Sequence, residues 1–214
     1  MNVIFDNLDR YIHAFLITLS LTLISAALAI VIGTILAAFR VSPVPVLRAT
    51  GTFYVETLRN TPLTLIFFFS VFVLPQLDIR LSFFTYAVIA LTVYHAAFFC
   101  EAVRSGINAV GSGQAEAARS IGLTFGQTLR IVVLPQAFRT VIPPLISVFI
   151  ALTKNSSIAG AFAVGELFKT GLDISAETAR PIPALLGVAF FYLIITIPAG
   201  QLAGVVERRV AFAR

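Results

Sequence analysis

Cysteine is almost absent from this chain. Cys100 is the only one in 214 residues, so no disulfide can close within the chain and no cysteine cluster can hold a metal. It lies in an apolar run and reads as an inert buried thiol. Histidine occurs only at His13 and His95, too few ligands for a metal site. Charge is scarce as well: 12% of residues are charged against 58% hydrophobic, with a mean hydropathy of +0.97. A water-soluble domain of this size needs more polar surface, so the solvent of this chain is a lipid bilayer. The basic residues behind the net charge of +5 are scattered and not interleaved with aromatics, which argues against a nucleic-acid face. Catalytic signatures are missing too. There is no H-E-x-x-H, no G-x-S-x-G and no G-x-x-x-x-G-K-[ST] phosphate loop. The opening MNVIFDNLDRY lacks a basic stretch and a small-residue cleavage site, so no removable signal peptide is expected.

What is present is a series of long charge-free windows. Ala14 to Phe39, Leu81 to Cys100 and Pro181 to Val206 each supply the roughly 20 apolar residues a membrane-crossing helix needs. Asn60 to Leu77 makes a further span once the preceding turns are added. Thr140 to Thr153 is too short alone and must continue through Lys154-Asn155-Ser156-Ser157 towards Val164. The expectation is an all-α integral membrane protein, one domain over 1–214, with five transmembrane helices at about 14–39, 52–75, 81–101, 140–164 and 182–206. Nothing marks an internal repeat or an interdomain linker. The Arg40-Val41-Ser42-Pro43-Val44-Pro45 stretch predicts a tight break, because each proline disfavours helix in the residue before it. Residues 162–182 form the longest segment on the opposite side, expected as a short surface helix plus loop. Arg40, Arg48, Arg104, Arg119, Arg130, Arg139, Arg208, Arg209 and Arg214 fall on one side; Arg10, Arg80, Lys169 and Arg180 fall on the other. By the positive-inside rule the first side is cytoplasmic, with the N-terminus outside and the C-terminus inside.

Polar residues inside these windows are the functional candidates. A lysine within a needed span is costly, and Asn and Ser cap helix N-termini well. The fourth span is therefore expected to break at Lys154, Asn155, Ser156 and Ser157, with a new helix N-terminus facing a substrate carboxylate; the competing reading has Lys154 reaching out to the headgroups. Asn60, Thr61 and Pro62 predict a kink, either lining a pathway or needed only for packing. Glu56/Arg59, Glu101/Arg104 and Glu116/Arg119 place opposite charges three residues apart on a helix face, each pair worth about 0.2–0.5 kcal/mol. The first two sit at span ends and read as gate pairs or as structural interface pairs. Tyr94 and His95 read as buried packing groups or as pore lining. An ion-gradient transporter would carry mid-span carboxylates, whereas the acids here fall near span ends.

One polar island, GQAEAARSIGLTFGQTLRIVVLP from Gly113 to Pro135, has its own logic. Two alanines give a thin helix face, Gly122 can end the helix, and Pro135 can start the next one. Glu116-Ala117-Ala118, Gly122, Val132 and Leu134-Pro135 occur at fixed distances, and that spacing resembles the signature loop of bacterial ABC import permeases, with a conservative Val at the aliphatic position. LRNTPLTL, FFCEAVRSGINAV, LPQAFRTVIPPL and LTKNSSIA extend the likeness over nearly the whole chain to the permeases of polar amino-acid importers. Those of actinobacterial glutamate uptake are the most similar; Asn155 stands where many relatives have Asp. The resemblance implies a type I ABC importer permease fold in the bacterial plasma membrane, with the 113–135 loop docking into an ATPase through Glu116, Ala117, Ala118, Gly122, Leu134 and Pro135. It further implies an ATPase dimer that binds ATP-Mg, a second permease, identical or homologous, an extracytoplasmic amino-acid-binding protein, and no cofactor or catalysis in this chain.

Overall fold

A computed structural model of the chain describes residues 3–109 and 111–211. The described residues form helices joined by short turns, without strands. A first turn, α1 (Val3–Asp6), leads into α2 (Leu8–Val41). α2 stops where Ser42 turns extended before Pro43, and the Ser42 hydroxyl accepts from the Val44 amide at 3.1 Å. Pro45, pre-set for a first helical turn, then opens α3 (Pro45–Arg59). α4 (Leu63–Phe68) loosens into a π turn (Phe69–Val73) and tightens into a 3₁₀ turn (Leu74–Leu77). α5 (Phe83–Asn108) starts at Ser82, whose side chain accepts from the Thr85 amide. Two short helices follow, α6 (Ser112–Ser120) and α7 (Phe125–Gln127), then a π stretch (Thr128–Val133). α8 (Leu134–Asn155) runs into a 3₁₀ turn (Ser156–Phe162). α9 (Leu167–Thr178) and α10 (Pro181–Ala211) close the chain.

Four helical stretches are long and apolar enough to cross a membrane: Leu8–Val41, Phe83–Asn108, Arg130–Phe162 and Pro181–Arg208. Pro45–Arg59 and Leu63–Leu77 make a fifth only as a pair, because the chain turns by 101° between them. The kink expected at Pro62 is thus a right-angle corner, and the window 52–75 is not one straight helix. Asn60 and Thr61 ease the corner by donating back to the Glu56 and Thr57 carbonyls at 2.7 and 2.8 Å.

The central contact is α2 against α5. Ala26, Ala29 and Ala37 of α2 meet Ala96, Ala97 and Cys100 of α5 in one buried cluster with Phe99 and Leu152. Small residues let two backbones approach, which is how helices associate where lipid removes the hydrophobic driving force. Gly33 is the tightest point: a Cβ there would lie 2.8 Å from the Ala96 carbonyl oxygen. Towards the Phe83 end of α5, Leu63, Phe67 and Val71 pack on Tyr86, Leu91 and Phe162. A third cluster joins Tyr11 and Ala14 to Leu167, Ile174, Ala184 and Phe191, tying α9 and α10 to the start of α2. Outside these seams large apolar side chains such as Leu16, Leu23, Val31, Leu186 and Phe190 face outwards, as lipid contact requires.

Candidate functional site

The 113–135 island projects from the bundle as α6, α7 and the π stretch. Glu116 and Ala117 are exposed on α6 and Ala118 is buried beneath them. The Glu116/Arg119 ion pair does not form among the described residues. α6 ends at Gly122, which takes φ +91°, a value only glycine adopts cheaply, and the Leu123 amide closes back on the Ala118 carbonyl at 3.2 Å. The next helix start has a local signal in the sequence, Thr124 followed three residues later by Gln127. Thr124 and Gln127 cap each other, the Gln127 side chain accepting from the Thr124 amide at 2.9 Å and the Thr124 hydroxyl from the Gln127 amide at 3.4 Å. Leu134 and the exposed Pro135 then open α8. The island is held by local bonds, and its outer face is unused: Ile121 is 80% exposed.

At the Arg40 end of the bundle one carboxylate gathers three guanidinium groups. Glu101 is paired with Arg40 from α2, with Arg104 at 2.9 Å on its own helix, and with Arg59 from the end of α3 at 3.7 Å. Arg59 also stacks over the Phe98 ring, 5.5 Å from its centroid. The Glu101/Arg104 pair forms as expected from its spacing. The Glu56/Arg59 pair does not: Arg59 reaches across to α5, where a partly buried carboxylate attracts it more strongly than an exposed one in high dielectric. The cluster pins the ends of α2 and α3 to α5.

The Lys154–Ser157 segment departs from expectation in its backbone. No helix N-terminus forms there. Asn155 and Ser156 keep helical φ and ψ, and the helix only tightens from α to 3₁₀. The hydroxyls that were expected to cap a new helix bond backwards instead, Ser156 to the Thr153 carbonyl at 2.7 Å and Ser157 to the Lys154 carbonyl at 2.8 Å. Lys154 and Asn155 consequently point into different spaces. Lys154 and Ser157 border an open cleft of about 280 Å³ with Phe168, Val188 and Tyr192. Asn155 borders a smaller cavity of about 120 Å³ against α5, where its Nδ2 lies 3.2 Å from His95 Nε2.

The nearest helix N-terminus is that of α9, and its cap, Glu166, carries no signal in the linear pattern. Glu166 is fully buried and accepts from the Phe168 and Lys169 amides at 2.9 and 2.8 Å and from the Tyr192 hydroxyl at 2.9 Å. Burial pushes its carboxyl above the usual range, and the three donors pull only partly back. On α9 itself, exposed Glu177 is held below the usual range by its hydrogen bonds to Arg10 at 2.6 and 2.9 Å. No three of His, Cys, Asp and Glu converge as a metal site among the described residues.

Comparison with known proteins extends the likeness beyond motifs. The family described as "Binding-protein-dependent transport system inner membrane component" matches residues 29–212. The probable glutamine ABC transporter permease protein GlnM of Bacillus subtilis (strain 168) is 41% identical over 209 residues, 98% of this chain and 97% of that one. The glutamate transport system permease protein GluC of Corynebacterium glutamicum is 43% identical over 213 residues, 92% of each. Among solved structures, an amino acid ABC transporter crystallised with histidines superposes with a TM-score of 0.88 at 29% identity, covering 96% of both chains. The methionine ABC transporter MetNI, at 21% identity and a TM-score of 0.70, shares the fold.

Proposed function

The chain belongs to the binding-protein-dependent transport system inner membrane components, as a multi-pass permease subunit of an ABC importer, and from that premise we propose that it imports a polar amino acid, glutamate first among them, by alternating access. The observation that carries the substrate class is the full-length likeness to permeases named for glutamine and glutamate at 41% and 43% identity. The chain has no phosphate-cradling loop, so ATP-Mg belongs to a separate ATPase dimer and no catalysis falls to this subunit. The N-terminus lies outside and the C-terminus in the cytoplasm, which puts α6, Glu116 and the Glu101 cluster on the ATPase side. An extracytoplasmic binding protein delivers the amino acid to the opposite face.

A single five-span subunit cannot enclose a path, so a second permease, identical or homologous, completes it. The ammonium of Lys154 supports this reading: it is exposed on the bundle at the level of the fourth span, where bare lipid would be costly. ATP binding closes the ATPases, moves the exposed α6 with Glu116, Ala117, Ala118 and Gly122, and through Leu134-Pro135 moves α8, which carries Lys154, Asn155, Ser156 and Ser157. The corner at Asn60 and Thr61 and the Arg59–Glu101–Arg104 contacts form the inner gate, Arg59 at 3.7 Å being the weakest leg. The test is uptake of labelled glutamate in cells lacking the gene, complemented with wild type or Glu116→Lys and competed with glutamine, aspartate and histidine. Uptake lost in the variant at an unchanged membrane level supports ATPase coupling, and the competition ranks the substrates. Full uptake by the variant favours an ion gradient as the driving force.

A further inference from the structure

The cavity beside Asn155 is walled by Tyr94, His95, Phe98, Val148 and Ala151. His95 is 1% exposed, and its Nδ1 lies 2.9 Å from the Leu91 carbonyl oxygen. A carbonyl can only accept, so Nδ1 carries the hydrogen. The ring has no acidic partner among the described residues, and an uncharged imidazole protonated at Nδ1 has its one acceptor at Nε2. The group facing Nε2 at 3.2 Å must then be the donor, the amide nitrogen of Asn155. The reverse orientation would set the Asn155 oxygen against the Nε2 lone pair. Nδ2 gives one of its two hydrogens to the ring, and this fixes which way the carboxamide faces; its Oδ1 has no protein partner among the described residues, and Asn155 borders the cavity.

We propose that His95 is a positioning residue for substrate recognition: it fixes Asn155 with Oδ1 towards the α5–α8 cavity, where that oxygen receives the α-ammonium of the transported amino acid. This rests on the amino-acid permease reading. Tyr94 and Phe98 stand with ring centroids 4.9 Å apart, and aromatic faces attract ammonium groups. Phe98 also carries the Arg59 guanidinium over its ring, 5.5 Å from the centroid. Asn155 therefore reads the amino end of the substrate.

The test is equilibrium binding of labelled L-glutamate and L-glutamine to the purified permease–ATPase complex without binding protein, with N-acetyl-L-glutamate, which lacks the ammonium, as competitor. His95→Ala should weaken both probes about tenfold, the size expected for one misdirected hydrogen bond to a charged group, and should erode the preference over the N-acetyl compound. His95→Gln, whose side-chain oxygen can accept from the Asn155 amide, should restore both. In an Asn155→Leu background His95→Ala should cost nothing further. Should the alanine variant fail to assemble, His95→Phe, which fills the space but cannot accept, takes its place. Unchanged affinity and discrimination in the variant, or an additive loss in the double variant, overturns the role of His95 alone. A wild-type complex that binds neither probe overturns the amino-acid reading and this inference with it.

Discussion

Glycine serves opposite purposes in the α2–α5 seam and in the exposed 112–133 segment. At Gly33 a Cβ would come within 2.8–2.9 Å of the Ala96 carbonyl, Phe99 and the Cys100 amide, so the residue is there for lack of a side chain. At Gly113 and Gly126 nothing lies within 4 Å, and at Gly122 the need is conformational, φ +91°. The seam is fixed by what it packs against inside the chain. The segment is fixed by its own caps and leaves its outer face open. Ile121 and Ile131 stay 80% and 62% exposed there, whereas the apolar residues of the seam are buried against one another.

The comparison breaks most severely at Gly33. Gly33→Leu would force α2 off α5, at a cost above about 3 kcal/mol given the backbone atoms in the way; both membrane abundance and uptake should collapse, measured by immunoblot and labelled uptake. Glu116→Lys should instead abolish uptake while abundance and Tm in detergent stay at wild-type values, because its side chain is exposed on α6. An intermediate case is Glu166, a cap inside the packed body. Its carboxyl lies above the usual range when folded, so the folded chain binds the proton more tightly than the unfolded chain. The stabilisation from that linkage is full below the unfolded value near 4.5 and is lost as pH rises through the higher folded value. Glu166→Gln should therefore lower Tm by an amount that grows as pH is reduced from neutral towards 4.5, with the steeper acid response confined to wild type. Gly122→Ala should cost about 1–2 kcal/mol of local strain and reduce coupling without loss of the bundle, read as ATPase activity no longer stimulated by substrate-loaded binding protein. Smallest of all, Gly113→Ala should change stability by less than about 0.5 kcal/mol, read from thermal unfolding in detergent, since a Cβ there meets open space.

How much was legible beforehand follows the sequence distance of each contact. The Glu116–Pro135 spacing is a local pattern, and so is the Glu101/Arg104 pair, three residues apart on one helix. Arg40 and Glu101 are 61 positions apart, and His95 and Asn155 are 60 apart; no periodicity in one segment reports which residue of another will face it. Pro62 announced a bend but not 101°, because the angle is set by α4 packing on α5 and on Phe162. Ser156 and Ser157 misled in a physical sense. A hydroxyl can cap the next helix or bond back to the previous turn, and only the direction taken by the following backbone chooses between them.

Charge-free length and motif spacing are properties read along the chain, so the lipid solvent, the helical class and the family were determined by the sequence. Only the tertiary fold decided that Arg59 serves Glu101, that Lys154 and Asn155 face separate spaces, that Glu166 caps α9 from within the body, and that His95 of α5 meets Asn155 of α8. These follow from where distant segments meet, and in a membrane that meeting is set by the close fit of small residues such as Gly33 against Ala96.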